Sequence, residues 1–479
     1  MTVHQDIPTI KVRNPRTGAF DYAFHPTSAE QLAETVRAAR AAQPAWQALG
    51  VEGRIAVISD WKDELERATP ALIDAVTLDT GRLRESVLEA ATVSRWIDRW
   101  AAAARVAYAT QPQATSSPDI LSIADFSPYP LVGIISPWNF PLSLSLTEAI
   151  PALISGCAVV VKPSEITPRF VVPLTETIAR VPVLAQVLKY VLGAGDLGEA
   201  LIDCADMISF TGSTATGRKV AARAGGRFIP CFTELGGKDP AIVLEGADID
   251  RATSAIATGA NLATGQQCYS IERIYVHRSL HDEFVAQLVK KVQKIRLAFP
   301  TVQDGVIGPL TFAPQADIIK RHLDDARTKG ARVLTGGTIE NLGGGLWIRP
   351  TVLTDVDHSM QIMREESFGP LMPVMAFDTL DQAVELANDT PYGLSGAVFG
   401  PEDQAIAVAR RIDAGGISVN DAGIAPFFIA DASAAEKTSF KCSGLGGSRL
   451  GPDSIKRFVR KRAVLVSRAK GASPWWFDV

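Results

Sequence analysis

LVGIISPWNFPLSLSLTEAIPALISGCAVVVKPSE, residues 131–165, places a helical pattern over about 143–154 between two unbroken apolar runs, 131–136 and 158–161. Strands that are apolar throughout, joined by a helix, belong to a parallel sheet covered on both faces. The alternation continues toward the C-terminus. A helix is expected near 168–180, then the apolar VLKYVL (187–192), then DMISF (206–210) running into GSTATG and a further helix. FIPCFTELGG (228–237) reads as the last strand of this unit, ended by Gly-Gly. The second half follows the same style, with helices expected near 249–262, 279–297 and 313–328 and strands at 273–277, 371–376, 395–399 and 416–419. The fold class is α/β with a doubly wound parallel sheet.

Upstream of this unit the first hundred residues read helical. Ser28-Ala-Glu-Gln31 is a capping box, with Leu32, Val36, Ala39 and Ala42 following at helical spacing. Further helices are expected over about 54–68 and 85–109. QPQATSSP (111–118) breaks the pattern, and 120–130 reads as extended. The tail closes on SPWWFDV (473–479), whose adjacent aromatics suit burial against a partner subunit better than contact with water.

Composition narrows the function. Lys+Arg 48 against Asp+Glu 52 gives a net charge of −4, with no basic footprint for nucleic acid. No apolar run reaches membrane-spanning length, and MTVHQDIPTI lacks the pattern of a signal peptide. Five scattered cysteines without a CxxC pair suit a reduced cytoplasmic protein. None of the six histidines sits in a motif that presents a catalytic base, and no cluster has metal-ligand spacing, so no metal is expected. An enzymatic base here would be a carboxylate.

Four segments carry chemistry. FTGSTATG (210–217) is a strand–turn–helix whose N-terminus can face a phosphate, though such glycines also serve backbone needs alone. KPSE (162–165) ends the AVVV strand, where Lys162 and Glu165 either hydrogen-bond a ribose or form a solvated turn. Glu234 in ELGGK (234–238) is a general base or a turn cap. Cys268, in TGQQCYS (264–270), is the one cysteine in a small polar setting, where exposure and dipoles favour a nucleophilic thiolate. The others have apolar or structural surroundings.

In this order and spacing PWNFP (137–141), KPSE, FTGST, ELGGK, GQQC and EESFGP (365–370) resemble the aldehyde dehydrogenase superfamily. NDTPYGLSGAVFG (388–400), GGISVND and the SGLG stretch fit as well, so the resemblance covers nearly the whole chain. It implies that Cys268 attacks an aldehyde carbon, that Asn139 with the Cys268 N–H holds the oxygen, and that Glu234 activates water against the resulting thioester or relays a proton from Cys268. Lys162 and Glu165 would contact the adenosine ribose, Ser213 the pyrophosphate, and Glu366 the nicotinamide ribose beside Phe368. Trp138 and Thr211 would line the same cleft. A carboxylate at 165 repels a 2′-phosphate, which favours NAD, with NADP as the alternative.

The resemblance also implies three parts. These are a Rossmann-like NAD domain (1–112 and 132–235), a catalytic domain (236–435), and a small oligomerisation sheet from 113–131 and 455–479. A homodimer or homotetramer is expected. Two rivals stand beside hydrolytic oxidation: transfer of the thioester to coenzyme A, and a non-catalytic NAD-binding protein.

Two departures matter. Many relatives have Lys nine residues after the PWNFP Asn, where this chain has Glu148, and a Glu in the SGxGRE stretch, where it has Ser448 and Arg449. Either the charges are swapped, with Glu148 paired to Arg449 behind Glu234, or Glu148 is a helix-surface residue. The usual PFGG is replaced within KTSFKCSG. Phe140, Leu144, Tyr269, Phe427 and Phe428 are the expected substrate pocket, short of Arg and Lys, which favours an apolar or aromatic aldehyde.

Overall fold

The structure, a computed structural model, describes residues 8–109, 111–422, 435–471 and 476–477. A six-stranded sheet runs in the order Gly444–Leu445, Cys231–Glu234, Met207–Thr211, Leu131–Ile135, Ala158–Lys162, Leu188–Tyr190. All its pairings are parallel except that of the C-terminal edge strand with Cys231–Glu234. From Leu131–Ile135 the chain winds outward through Ala158–Lys162 and Leu188–Tyr190, then returns to the other side. The strand order therefore reverses between Leu131–Ile135 and Met207–Thr211. Such a switch point opens a crevice beyond the carboxyl ends of the strands, where ligands bind.

The second sheet has seven strands, ordered Arg332–Thr335, Thr351–Thr354, Leu371–Phe377, Ile271–His277, Asp239–Val243, Ser395–Phe399, Gly416–Val419. A third, antiparallel sheet joins Val459–Ser467 to Ile120–Pro128 and Gln113–Ala114. The expected elements form, including the Ser28 capping box and the helix Ala29–Ala48.

Some elements differ from expectation. The N-terminal hundred residues are not wholly helical: Ile10–Arg13 and Phe20–Phe24 make a hairpin. The second helix extends over Gly50–Thr80, past Pro70. Its buried stripe, Leu65, Leu72 and Val76, continues across the proline and packs into the core, so burial outweighs the lost hydrogen bond. The strand Asp239–Val243 lies in the middle of the second sheet although it opens Asp-Pro, a pair that argues against a strand. The register shifts between Asp239 and Pro240, so the proline falls at an irregularity near the start of the strand, where proline is tolerated. In the tail, Trp476 and Phe477, expected to be covered by a partner subunit, are 62% and 91% exposed in the single chain, which does not bear on that expectation. Trp475 lies outside the described residues.

Candidate active site

The switch-point crevice is a cavity of about 580 Å³ lined by Ser136, Trp138, Lys162, Glu165, Thr211 and Ser213, with Phe312 across from them. Lys162 Nζ lies 3.1 Å from the Glu165 carboxylate, so the two present one paired polar surface at the end of their strand. Ser213 caps the helix Thr214–Gly226, accepting from the Thr216 N–H at 3.3 Å, and thereby points that helix N-terminus at the cavity. Trp138, Thr211, Ser213 and Phe312 also border a second cavity of about 260 Å³ lined by Asn139, Leu144, Glu234, Cys268, Glu366 and Phe368. Cofactor-like and nucleophile-like residues thus share one continuous cleft.

Cys268 follows a turn that few sequences would adopt unaided. Ala263, Thr264 and Gly265 have φ of +53°, +61° and +68°, two of them costly for residues with a Cβ. Buried hydrogen bonds hold the turn. Arg82 donates to Ala263 O at 3.0 Å, Glu85 accepts from the Ala263 N–H at 3.1 Å, and Thr264 Oγ1 accepts from the Gly308 N–H at 2.9 Å. Gln266 donates to Pro309 O at 3.1 Å and accepts from the Thr311 N–H at 2.9 Å. Arg82 also donates to Asn139 O, and Asn139 Nδ2 donates to Gln266 O at 3.1 Å. One buried guanidinium therefore fixes nucleophile and amide relative to each other. Arg82 escaped sequence reading because an arginine between helices carries no local signature.

Glu234 ends its strand, with Oε1 accepting from Ser439 Oγ at 2.8 Å. Its Oε2 is buried with no hydrogen-bond partner among the described residues. Glu366 Oε1 accepts from the Gly237 N–H at 2.9 Å, and burial pushes its carboxyl up to about 8. Gly236 is needed there, since a Cβ would fall 2.5 Å from the Glu366 carboxylate. Phe368, at φ +52°, is held by its N–H donating to Glu272 at 2.8 Å and sits edge-on to Trp138, ring centroids 5.5 Å apart.

Several expectations need correction. Cys268 is half-buried and lines the cavity, but it is not an acidified thiol: desolvation, then the neighbouring Glu234, push it up to about 12, with Lys437 opposing. Of the two readings of Glu148, pairing with Arg449 holds and the helix-surface position does not. Glu148 is 1% exposed and accepts from Arg457 at 2.8 Å and from Arg449. Arg449 in turn donates to Thr211 Oγ1 at 2.7 Å, and Thr211 pairs in register with Glu234. Phe140 is not among the residues lining either cavity; its ring lies under the Arg82 guanidinium at 5.4 Å. The surroundings are not free of cations: Lys437 Nζ stands 4.0 Å over the Tyr269 ring. Phe427 and Phe428 lie outside the described residues.

The chain matches the model of the aldehyde dehydrogenase family over residues 2–464. It is 36% identical to a Mycolicibacterium smegmatis protein named "Putative succinate-semialdehyde dehydrogenase [NADP(+)]", across 93% of this chain and 86% of that one. A solved structure titled "The Structure of Putative Aldehyde Dehydrogenase PutA from Anabaena variabilis" has 53% identity and a TM-score of 0.96, over 98% of this chain and 100% of that one. A point mutant of betaine aldehyde dehydrogenase from Staphylococcus aureus, solved with NAD+, has 30% identity and a TM-score of 0.91 over 98% of this chain and 96% of that one. With the cleft, the ordered motifs and these likenesses in agreement, the chain belongs to the aldehyde dehydrogenase family.

Proposed function

We propose that this protein oxidises an apolar or aromatic aldehyde to its carboxylic acid with NAD as acceptor. Residues 1–112 and 132–235 would bind the cofactor and 236–435 would supply the nucleophile. The observation that carries the reading is the convergence of Cys268, Asn139 and Glu234 on one cavity continuous with the switch-point crevice. Lys162, Glu165, Ser213 and Glu366 fit a dinucleotide: a paired ribose contact, a helix N-terminus for the pyrophosphate, and a carboxyl group for the second ribose. When bound, the nicotinamide supplies the hydride acceptor.

Cys268 Sγ adds to the aldehyde carbon, giving a thiohemiacetal. Asn139 Nδ2, with one N–H on Gln266 O, has a second to offer the developing oxyanion together with the Cys268 N–H. Loss of hydride leaves a thioester on sulfur. Glu234, anchored through Oε1 by Ser439, keeps Oε2 to take a proton from the attacking water, which releases the acid and the thiolate. A free carboxylate oxygen supports hydrolysis over transfer to coenzyme A.

Leu144, which lines the smaller cavity, supports an uncharged substrate. A carboxylate-bearing aldehyde would need a cation open to the cavity. Among the described residues Arg449 is taken by Glu148 and Thr211, and Lys437 Nζ is closed off.

NADH formation from aliphatic, aromatic and carboxylate-bearing aldehydes, with and without coenzyme A, tests the reading. Apolar aldehydes should be preferred, coenzyme A should add nothing, and Cys268→Ala should abolish turnover while still binding NAD. A Cys268→Ala enzyme with full turnover refutes the nucleophile, and coenzyme A dependence refutes hydrolysis.

A further inference from the structure

We infer that Lys437 is a positioning residue for the nucleophile, its ammonium group serving as the counter-charge that stabilises Cys268 as a thiolate. The inference rests on the assignment of Cys268 above. Lys437 Nζ is shut off from solvent and has no hydrogen-bond partner among the described residues. Burying an unpaired ammonium is costly, and such a group persists where an opposing charge compensates. What it touches is the face of Tyr269, the residue after the nucleophile, at 4.0 Å from the ring centroid.

The ammonium is also held in place. The Lys437 N–H donates to Ser448 Oγ at 3.1 Å and Lys437 O accepts from the Arg449 N–H at 3.2 Å. Its stem packs on Gly416, where a Cβ would come within 3.0 Å of Lys437 Cε. Two residues on, Ser439 anchors Glu234. One short segment therefore presents a cation to the nucleophile's side of the site and a hydroxyl to the base.

Electrostatics point the same way. The groups facing Cys268 include the carboxyls of Glu234, Asp239 and Glu366, each of which disfavours a thiolate, and Lys437, which favours it. Burial lowers the basicity of Lys437 itself, while Glu234 first, then Cys268 and Asp239, favour its ammonium form, with Arg449 as a like charge. In the activation step the Cys268 S–H bond breaks, its proton forms an O–H bond on Glu234, and the negative charge moves from carboxylate to sulfur; Glu234 gives that proton up to solvent before it takes one from the attacking water. The net charge is unchanged, and the Lys437 ammonium opposes the anion on either group. The thiolate pair then forms the S–C bond to the aldehyde.

The experiment is the pH dependence of Cys268 alkylation by iodoacetamide in the full-length protein with NAD bound, read from the mass of the peptide carrying residue 268. Lys437→Met should raise the apparent pKa of alkylation by at least about one unit, a loss of about tenfold in rate near pH 7.5. kcat/KM for an uncharged aldehyde should fall in parallel and recover at high pH, and Lys437→Arg should restore the wild-type profile. Should Lys437→Met fail to fold, Lys437→Gln replaces it. A Lys437→Met or Lys437→Gln profile that superimposes on the wild type overturns the inference. So does a Lys437→Arg profile shifted like theirs, or a defect confined to KM for carboxylate-bearing aldehydes. These outcomes leave the nucleophile assignment standing; only a Cys268→Ala enzyme with full turnover removes that.

Discussion

Replacing Glu148 by Gln removes one charge from a buried cluster and leaves the guanidiniums of Arg449 and Arg457 without their counter-ion. Burial pushes the Glu148 carboxyl up, but the two arginines overcome this and hold it at about 2, against an ordinary value of 4.5. At about 1.36 kcal/mol per pKa unit, that depression corresponds to about 3 kcal/mol. Breaking one partner out of a buried pair gives a comparable figure, about 3–5 kcal/mol.

The sign follows from linkage. The folded pKa lies below the unfolded one, so the stabilisation is present above about pH 4.5 and is lost as pH falls toward about 2. Unfolding entropy near about 2.1 cal/mol/K per residue makes about 3 kcal/mol worth about 3 °C in a chain of this length.

Differential scanning calorimetry at pH 7.5, with urea denaturation alongside, should find Glu148→Gln less stable by that amount. The gap should narrow progressively below pH 4.5. Arg449→Met should destabilise too, and the double variant should lose less than the sum, with coupling of about 1 kcal/mol or more. Because Arg449 bridges Glu148 to Thr211, in register with Glu234, the thioester hydrolysis rate should fall along with stability. A Glu148→Gln protein within about 0.5 kcal/mol of wild type at pH 7.5, or zero coupling in the double variant, refutes the reasoning.

Two more predictions rest on the cleft. Asn139→Ala should lower kcat by about 10²–10³, since one oxyanion donor disappears, while NAD affinity measured by titration stays within about twofold. Unchanged kcat would remove Asn139 from the reaction. Glu165→Gln should shift the ratio of kcat/KM toward NADP by about tenfold, because two like charges about 4 Å apart in water repel by about 1 kcal/mol and a 2′-phosphate carries between one and two. A ratio that stays fixed would mean the Lys162–Glu165 pair does not meet the ribose.

The sequence by itself determined the sheet style and the order of the parts. Runs such as LVGII and AVVV bury both faces, and their alternation with helices selects a covered parallel sheet, in which residues at strand ends are placed by the strands themselves. Glu234, Lys162 and Thr211 were legible for that reason, and Cys268 for its small polar setting. Tertiary structure alone decided what depends on residues remote in the chain. Arg82 clamps Asn139 to the nucleophile turn, Lys437 stands over Tyr269, and Glu148 meets Arg449 and Arg457 some three hundred residues away. The central strand Asp239–Val243 belongs with these, since local propensity argues against Asp-Pro and only a register shift makes room for it. The ionisation of Cys268 is of the same kind. Local polarity suggested an acidic thiol, whereas burial and the charges assembled around it from distant segments set its proton affinity.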